Sequence, residues 1–260
     1  MIDAHIHVVP PNLADVGDLG LSAEGGPAQI ADWLMREMRS AEVTQALAMG
    51  ELSEDERDLF GVRSTLQLAE RVPGLMPIGV IHPERSEGRH LDQAKAILKE
   101  GRIKALKVYL GYIPFGADHD GYRPYYTLAG ELRIPVIFHT GDTASPSARL
   151  RLAHPLTIDE IAVEHRQTDF VIAHVGNPWM RDAVEVVHKN FNVWTDLSGL
   201  VVGSASDFEA EHRQDMLADV RHDLGRAFRY AERPNRFLYG SDWPLAPMRP
   251  YRQLIQQSIP

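Results

Sequence analysis

"IDAHIHV", residues 2–8, sets two histidines two positions apart in an otherwise apolar run. Side chains alternate across a β-strand, so Asp3, His5 and His7 share one face while Ile2, Ala4, Ile6 and Val8 share the other. One face is apolar and the other carries imidazole and carboxylate. A lone histidine in such a strand is ordinarily a core residue with its hydrogen bonds met. A pair gains chemical meaning only if the rest of the chain brings matching groups to the same place.

Seven further apolar runs follow at fairly even spacing: "VTQALAMG" (43–50), "LMPIGVI" (75–81), "IKALKVYL" (103–110), "IPVIFH" (134–139), "FVIAH" (170–174), "NVWTDLSG" (192–199) and "RFLYGSD" (236–242). Segments with helical spacing lie between them, among them 28–41, 58–72, 90–101 and 216–232. Such alternation predicts βαβ units around a parallel sheet. The strand-to-helix connections 9–27, 110–122, 140–155 and 198–212 are long, and helix-to-strand turns such as "VPG", "EGR" and "ERPN" are short. Eight units elaborated on one side describe an α/β fold, a single (β/α)8 TIM barrel with its site at the C-terminal ends of the strands. A doubly wound sheet is the alternative, but no G-x-G-x-x-G or Walker motif follows any strand. No Pro/Gly/Ser-rich linker interrupts the pattern, so residues 1–260 read as one domain. Only 18 residues follow Asp242, which predicts a shortened last helix over about 251–258.

The composition narrows the function classes. Of the 260 residues, 44% are hydrophobic and 24% charged, as in an ordinary globular protein with a sizeable core. A formal net charge of -9 without a basic run argues against a nucleic-acid partner, whose phosphates call for clustered Lys and Arg. Cysteine is absent, so a metal site has to use nitrogen and oxygen ligands. No apolar run approaches the ~20 residues of a membrane helix, and no signal peptide is expected. The expectation is a cytoplasmic enzyme with a small-molecule substrate, no nucleic-acid or membrane partner, and homodimer formation left open.

On a barrel, the polar residues at the strand ends converge. They are His5 and His7 on the first strand, Lys107 on the fourth, His139 in "FHTGD" on the fifth, His174 in "AHVGNP" on the sixth and Asp242 in "GSDWP" on the eighth. Singly, each reads as a turn residue or a helix cap. Jointly they are metal-ligand types, and three imidazoles with a carboxylate suit Zn²⁺ with one position open for water; Mn²⁺ or Fe²⁺ also accepts such a set. Asp3 reads equally as a residue orienting a ligand or as a structural cap.

"DAHIH", "FHTGD", "AHVGNPW" and "YGSDWP", in this order and spanning nearly the whole chain, resemble the amidohydrolase superfamily. The likeness is to its amidohydrolase-2 branch of metal-dependent hydrolases and aromatic-acid decarboxylases. The resemblance implies that His5, His7, His139 and Asp242 hold one divalent metal, with His174 as acid/base; Asp242, if it touches both metal and water, is a second proton carrier. Lys107 stands where binuclear relatives carry a carboxylated lysine that bridges two metals; its other reading is an ammonium that binds substrate. The implied function is hydrolysis, with metal-activated water attacking a carbonyl of a small, carboxylate-bearing substrate. The alternative is non-oxidative decarboxylation of an aromatic or unsaturated acid. Candidates for substrate contact are Arg149 and Arg151 for a carboxylate, Tyr109, Tyr112 and Trp179 for a ring, and His154. A metal-binding scaffold without catalysis and a related nuclease are less favoured.

Overall fold

Each predicted apolar run becomes a strand in the computed structural model, which describes residues 1–21 and 26–259. The strands are β1 (Ile2–His7), β2 (Gln45–Met49), β3 (Leu75–Val80), β4 (Ala105–Val108), β5 (Val136–Phe138), β6 (Phe170–Ile172), β7 (Val193–Asp196) and β8 (Phe237–Leu238). They pair in parallel in sequence order, β1 to β8. The helices around them are α1 (Gly26–Ser40), α2 (Arg63–Ala69), α3 (Gly88–Lys99), α4 (Arg123–Leu132), α5 (Thr157–Glu164), α6 (Met180–Lys189), α7 (Ala205–Glu209), α8 (Gln214–Ala231) and α9 (Met248–Ser258). The first predicted long connection, 9–27, runs through residues 22–25, which lie outside the described residues.

Alternation along each strand sorts the core into an inner and an outer part. Met49, Ile78, Ala105, Ile137, Val171 and Ala173 form one buried cluster inside the barrel. Residues of opposite phase, such as Ile6, Ala46 and Ala48, pack outward on α1, which buries Ala31, Leu34 and Met38 at spacings of three and four. α6 repeats the pattern with Met180, Ala183, Val184 and Val187. Burial of these stripes, rather than intrinsic propensity, holds such short helices in place.

The barrel closes beyond its shortest strand. β8 has two residues, and the chain after it pairs with β1: Ala4 N–H donates to Tyr239 O (2.7 Å), His7 N–H to Trp243 O (2.6 Å) and Asp242 N–H to His5 O (2.8 Å). Asp3 adds a side-chain link, its Oδ1 accepting from the backbone N–H groups of His5 (3.1 Å) and Ser241 (3.0 Å). Asp3 is therefore a cap across the seam. Burial lifts its carboxyl to about 7, against the pull of these hydrogen bonds.

The last helix corrects the expected boundary. It begins at Met248, has 11 residues against 10 in α4 and α6, and packs between α8 and α1. Pro250 falls in its first turn, where the missing N–H removes no intrahelical bond. Tyr251 fastens α9 to the barrel mouth by donating to Leu197 O and accepting from Leu200 N–H. Among the described residues, no helix is long and apolar enough to cross a membrane.

Candidate metal centre

The strands deliver their inward residues to one point. Two positions beyond the apolar inner cluster stand Lys107 (after Ala105), His139 (after Ile137) and Asp196 (after Trp194), all buried, beside His5 and His7 of β1. His139 N–H still donates to Val108 O (2.9 Å), so it continues the ladder past β5. His174 and Asp242 arrive differently. β6 ends at Ile172, and plain alternation would turn His174 outward; instead it adopts φ 60° and its ring enters the mouth. Asp242 also has φ 60°, four residues past the end of β8. A left-handed conformation in a residue other than glycine costs on the order of 1–3 kcal/mol and is held by its surroundings.

At the centre, Asp242 Oδ1 lies 3.6 Å from His5 Nε2 and 3.5 Å from His7 Nε2. Asp242 Oδ2 lies 4.0 Å from His174 Nδ1. The rings of His5 and His174 are 4.8 Å apart, and those of His139 and His174 5.0 Å. Among the described residues, two sets of ligand atoms fall within 4.8 Å of one another: His5, His7 and Asp242, and His5, His174 and Asp196. His139 belongs to neither set, and reaches the cluster through His174, with His139 Nδ1 and His174 Nε2 3.2 Å apart.

Hydrogen-bond partners fix most of the tautomers. Asp196 Oδ2 accepts His5 Nδ1–H at 2.9 Å, so the His5 lone pair sits on Nε2. The carbonyl of Asp142 requires a donor from His139 Nε2 (3.0 Å), which puts the lone pair of neutral His139 on Nδ1. The carbonyl of Ser198 likewise requires a donor from His174 Nδ1 (3.2 Å), leaving the lone pair on Nε2. Two lone pairs thus face each other across 3.2 Å, an arrangement that a shared proton or a cation relieves.

The donor set fits a divalent cation. Within the protein, His5 Nε2, Asp242 Oδ1 and Lys107 Nζ are buried with no hydrogen-bond partner. Each such group costs on the order of 1–3 kcal/mol unless something satisfies it. Nitrogen and carboxylate oxygen without sulfur suit zinc, manganese or iron. Charge states agree. Burial, reinforced by Lys107, lowers His5 to about 4; burial, His174 and Lys107 hold His139 well below the ordinary imidazole range; burial also lowers His174. His5, His139 and His174 are therefore neutral at pH 7, the form a metal takes. Burial alone would raise Asp242, but the nearby His7, His174 and His5 hold it well below the usual carboxylate range and ionised. Lys107 falls to about 8 through burial, opposed by Asp196 and Asp242.

The expected substrate contacts are scattered. Tyr109 is buried, donates to Gly50 O (2.8 Å) and carries Lys107 Nζ 5.3 Å above its ring. Tyr112 lies 4.8 Å from the His139 ring, its hydroxyl accepting Ala144 N–H. Arg149 and Arg151 stand exposed on the β5–α5 loop. His154 and Trp179 pack on each other at 4.8 Å, and His154 Nε2 lies 3.4 Å from Asp182. Trp179 lines a groove of about 990 Å³ between α6 and α8, on the outer face and away from the histidines. Asp196 went unrecognised in the sequence, although it ends the inward phase of "NVWTDLSG" by the same rule that selected His5 and Lys107. Burial would raise its carboxyl, but His5, through its charge and hydrogen bond, and His174 hold it well below the usual range.

The family model described as Amidohydrolase matches residues 2–257. A search of curated proteins gave no match. Among solved structures, a probable 2-pyrone-4,6-dicarboxylic acid hydrolase from Acinetobacter baumannii, with citric acid bound, is 14% identical, with a TM-score of 0.62 over 99% of this chain and 95% of that one. A 5-carboxyvanillate decarboxylase from Novosphingobium aromaticivorans, with bound manganese, is 10% identical, with a TM-score of 0.62 over 99% and 92%. A 4-oxalomesaconate hydratase from Rhodopseudomonas palustris is 13% identical, with a TM-score of 0.59 over 98% and 88%. At these identities the likeness is one of fold.

Proposed function

The chain belongs to the amidohydrolase family, and from this we propose that it is a divalent-metal-dependent hydrolase of a small, carboxylate-bearing substrate. The observation that carries the proposal is the convergence of His5 Nε2, His7 Nε2 and Asp242 Oδ1, two of these atoms without a partner, beside His174. His5, His7, His139 and Asp242 are the proposed ligands, with His139 contributing Nδ1. A bound zinc ion, or manganese or iron in its place, supplies water activation at neutral pH and polarisation of a carbonyl oxygen. His174, neutral and with its lone pair on Nε2, takes the proton from water, a contribution of ~10² to 10⁴ in rate. Asp242 Oδ2, turned toward His174, is the second proton carrier.

Lys107 is the proposed partner of the substrate carboxylate, because its amine is buried, unpaired within the protein and still largely charged at pH 7. A carboxylated lysine bridging two cations is its other role, and a metal content of about two per chain would identify it. Tyr112, beside His139, is the best placed ring for a substrate face, with Arg149 and Arg151 as contacts farther out. The names of two neighbours support a carboxylate substrate: one is named a probable 2-pyrone-4,6-dicarboxylic acid hydrolase and another a 5-carboxyvanillate decarboxylase.

The same neighbours keep decarboxylation as the second reading, and the hydratase adds water addition to the chemistries this fold hosts. Hydrolysis is preferred because it needs only the groups gathered at the centre, while decarboxylation also needs a pocket that holds an aromatic acid in one orientation. A panel of lactones, esters and amides beside hydroxylated benzoates and unsaturated acids, assayed with metal-loaded protein for acid release and CO₂, tests the choice. Acid release from a lactone, ester or amide without CO₂ is expected. CO₂ from a carboxylate, abolished in His174→Ala and without hydrolysis of any ester or amide, would make the protein a lyase.

A further inference from the structure

Ser198 touches the site from the β7–α7 loop, and its hydroxyl has no part in the chemistry above. Its side chain is buried, and its hydroxyl lies 2.9 Å from His174 Nδ1 while donating to Asp196 Oδ1. The same carboxylate oxygen accepts the backbone N–H groups of Ser198 and His174, each at 3.0 Å. Asp196 Oδ2 is meanwhile taken by His5. An ionised carboxylate can only accept, so the single hydroxyl proton of Ser198 points to Asp196 and its lone pairs face His174. The Ser198 carbonyl accepts from the same ring nitrogen at 3.2 Å. Both oxygens of one residue therefore demand a proton on His174 Nδ1.

The next residue presses the turn onto the ring. A Cβ at Gly199, where φ is +66°, would lie 2.6 Å from His174 Nδ1 and 2.9 Å from Asp242 Oδ2. Across the seam, a Cβ at Gly240 would lie 3.0 Å from the Ser198 Cβ and 2.9 Å from that of His5. The absence of a Cβ at Gly199 and Gly240 thus lets the Ser198 segment lie close against His174 and His5.

We propose that Ser198 is a positioning residue that holds His174 in the tautomer protonated at Nδ1, so that Nε2 remains the basic atom turned toward His139 and the metal ligands. The inference rests on the reading of His174 as the proton acceptor, which requires a free lone pair on the side facing the centre. Asp196 completes the arrangement by keeping the Ser198 hydroxyl an acceptor toward His174 while also fixing His5. One carboxylate thereby sets the orientation of a ligand and, through Ser198, of the proton acceptor.

The test is nitrogen-15 NMR of histidine-labelled, zinc-loaded protein, with His174→Gln used to assign the His174 resonances. The expected spectrum places the His174 proton on Nδ1, in slow exchange with water. Ser198→Ala removes one buried oxygen and little volume; it is expected to keep the zinc content and to speed exchange of the Nδ1 proton about fivefold or more, the worth of one hydrogen bond. A His174 proton on Nε2 in the unmodified protein would overturn the proposal, even if the variant failed to fold. So would a folded Ser198→Ala protein with unchanged tautomer and exchange. No substrate enters the measurement, so an error in the reaction class leaves its outcome intact.

Discussion

Asp196 accepts His5 Nδ1–H and thereby decides which nitrogen of His5 turns into the barrel. Partners of this kind hold a ligand's ring orientation and raise its basicity, and losing one typically costs 10–100-fold in metal affinity. Asp196→Asn is therefore expected to weaken zinc binding ~10–100-fold in competition with a chromophoric chelator; unchanged affinity would show that His5 needs no orienting group. His139 and His174 separate by function. His139→Ala is expected to lose both metal and activity, and His174→Ala to keep the metal and lose activity. A site emptied equally by both substitutions would make His174 a ligand. At this scale the sequence was informative wherever a strand simply continued: His5, His7, Lys107 and His139 all follow from alternation. Asp196 obeys the same rule but stands alone in its run, without a neighbouring histidine to draw notice. Ser198 follows no such rule, since its role depends on a hydroxyl orientation set by Asp196.

At the scale of elements, the eight apolar runs of the sequence correspond to the eight strands because inner and outer clusters both need apolar residues along a barrel strand. The approach of His174 and Asp242 was not legible in that way. Both lie past their strand ends at positive φ, a conformation fixed by tertiary contacts that period-two patterning does not encode. The sequence pattern understates α9 for a different reason, the tolerance of the first helical turn for Pro250. The closure from β8 to β1 offers a direct test of how the seam is held. Asp3→Ala leaves the buried N–H groups of His5 and Ser241 without their acceptor and is expected to cost about 2–4 kcal/mol in urea unfolding. Asp3→Asn keeps an oxygen at Oδ1 and removes only a charge that burial already opposes, so it should recover most of the loss. An alanine variant within ~0.5 kcal/mol of the parent would show that the backbone bonds alone close the barrel.

For the whole molecule, the cation is expected to act as a staple, because its proposed ligands His5 and His7 come from the first strand and Asp242 from the segment after the last. Binding to the folded state alone adds about 2.7 kcal/mol when free metal is at 100 times its dissociation constant. For a chain of this size that corresponds to a fall in Tm of ~5–10 °C on removal by chelator, reversed by adding metal. A Tm indifferent to chelation would place any bound ion away from the seam. The fold and most of the proposed centre rest on residues that meet at the strand ends, and the proposed reaction rests on the cation those residues are proposed to hold. Elemental analysis of protein prepared without chelator, then titrated with zinc, manganese or iron, is the most direct test of that claim. About one equivalent per chain is expected, reduced to less than about a tenth in His7→Ala. Less than about a tenth of an equivalent in the unmodified protein after all three titrations would contradict the metal centre and the mechanism built on it.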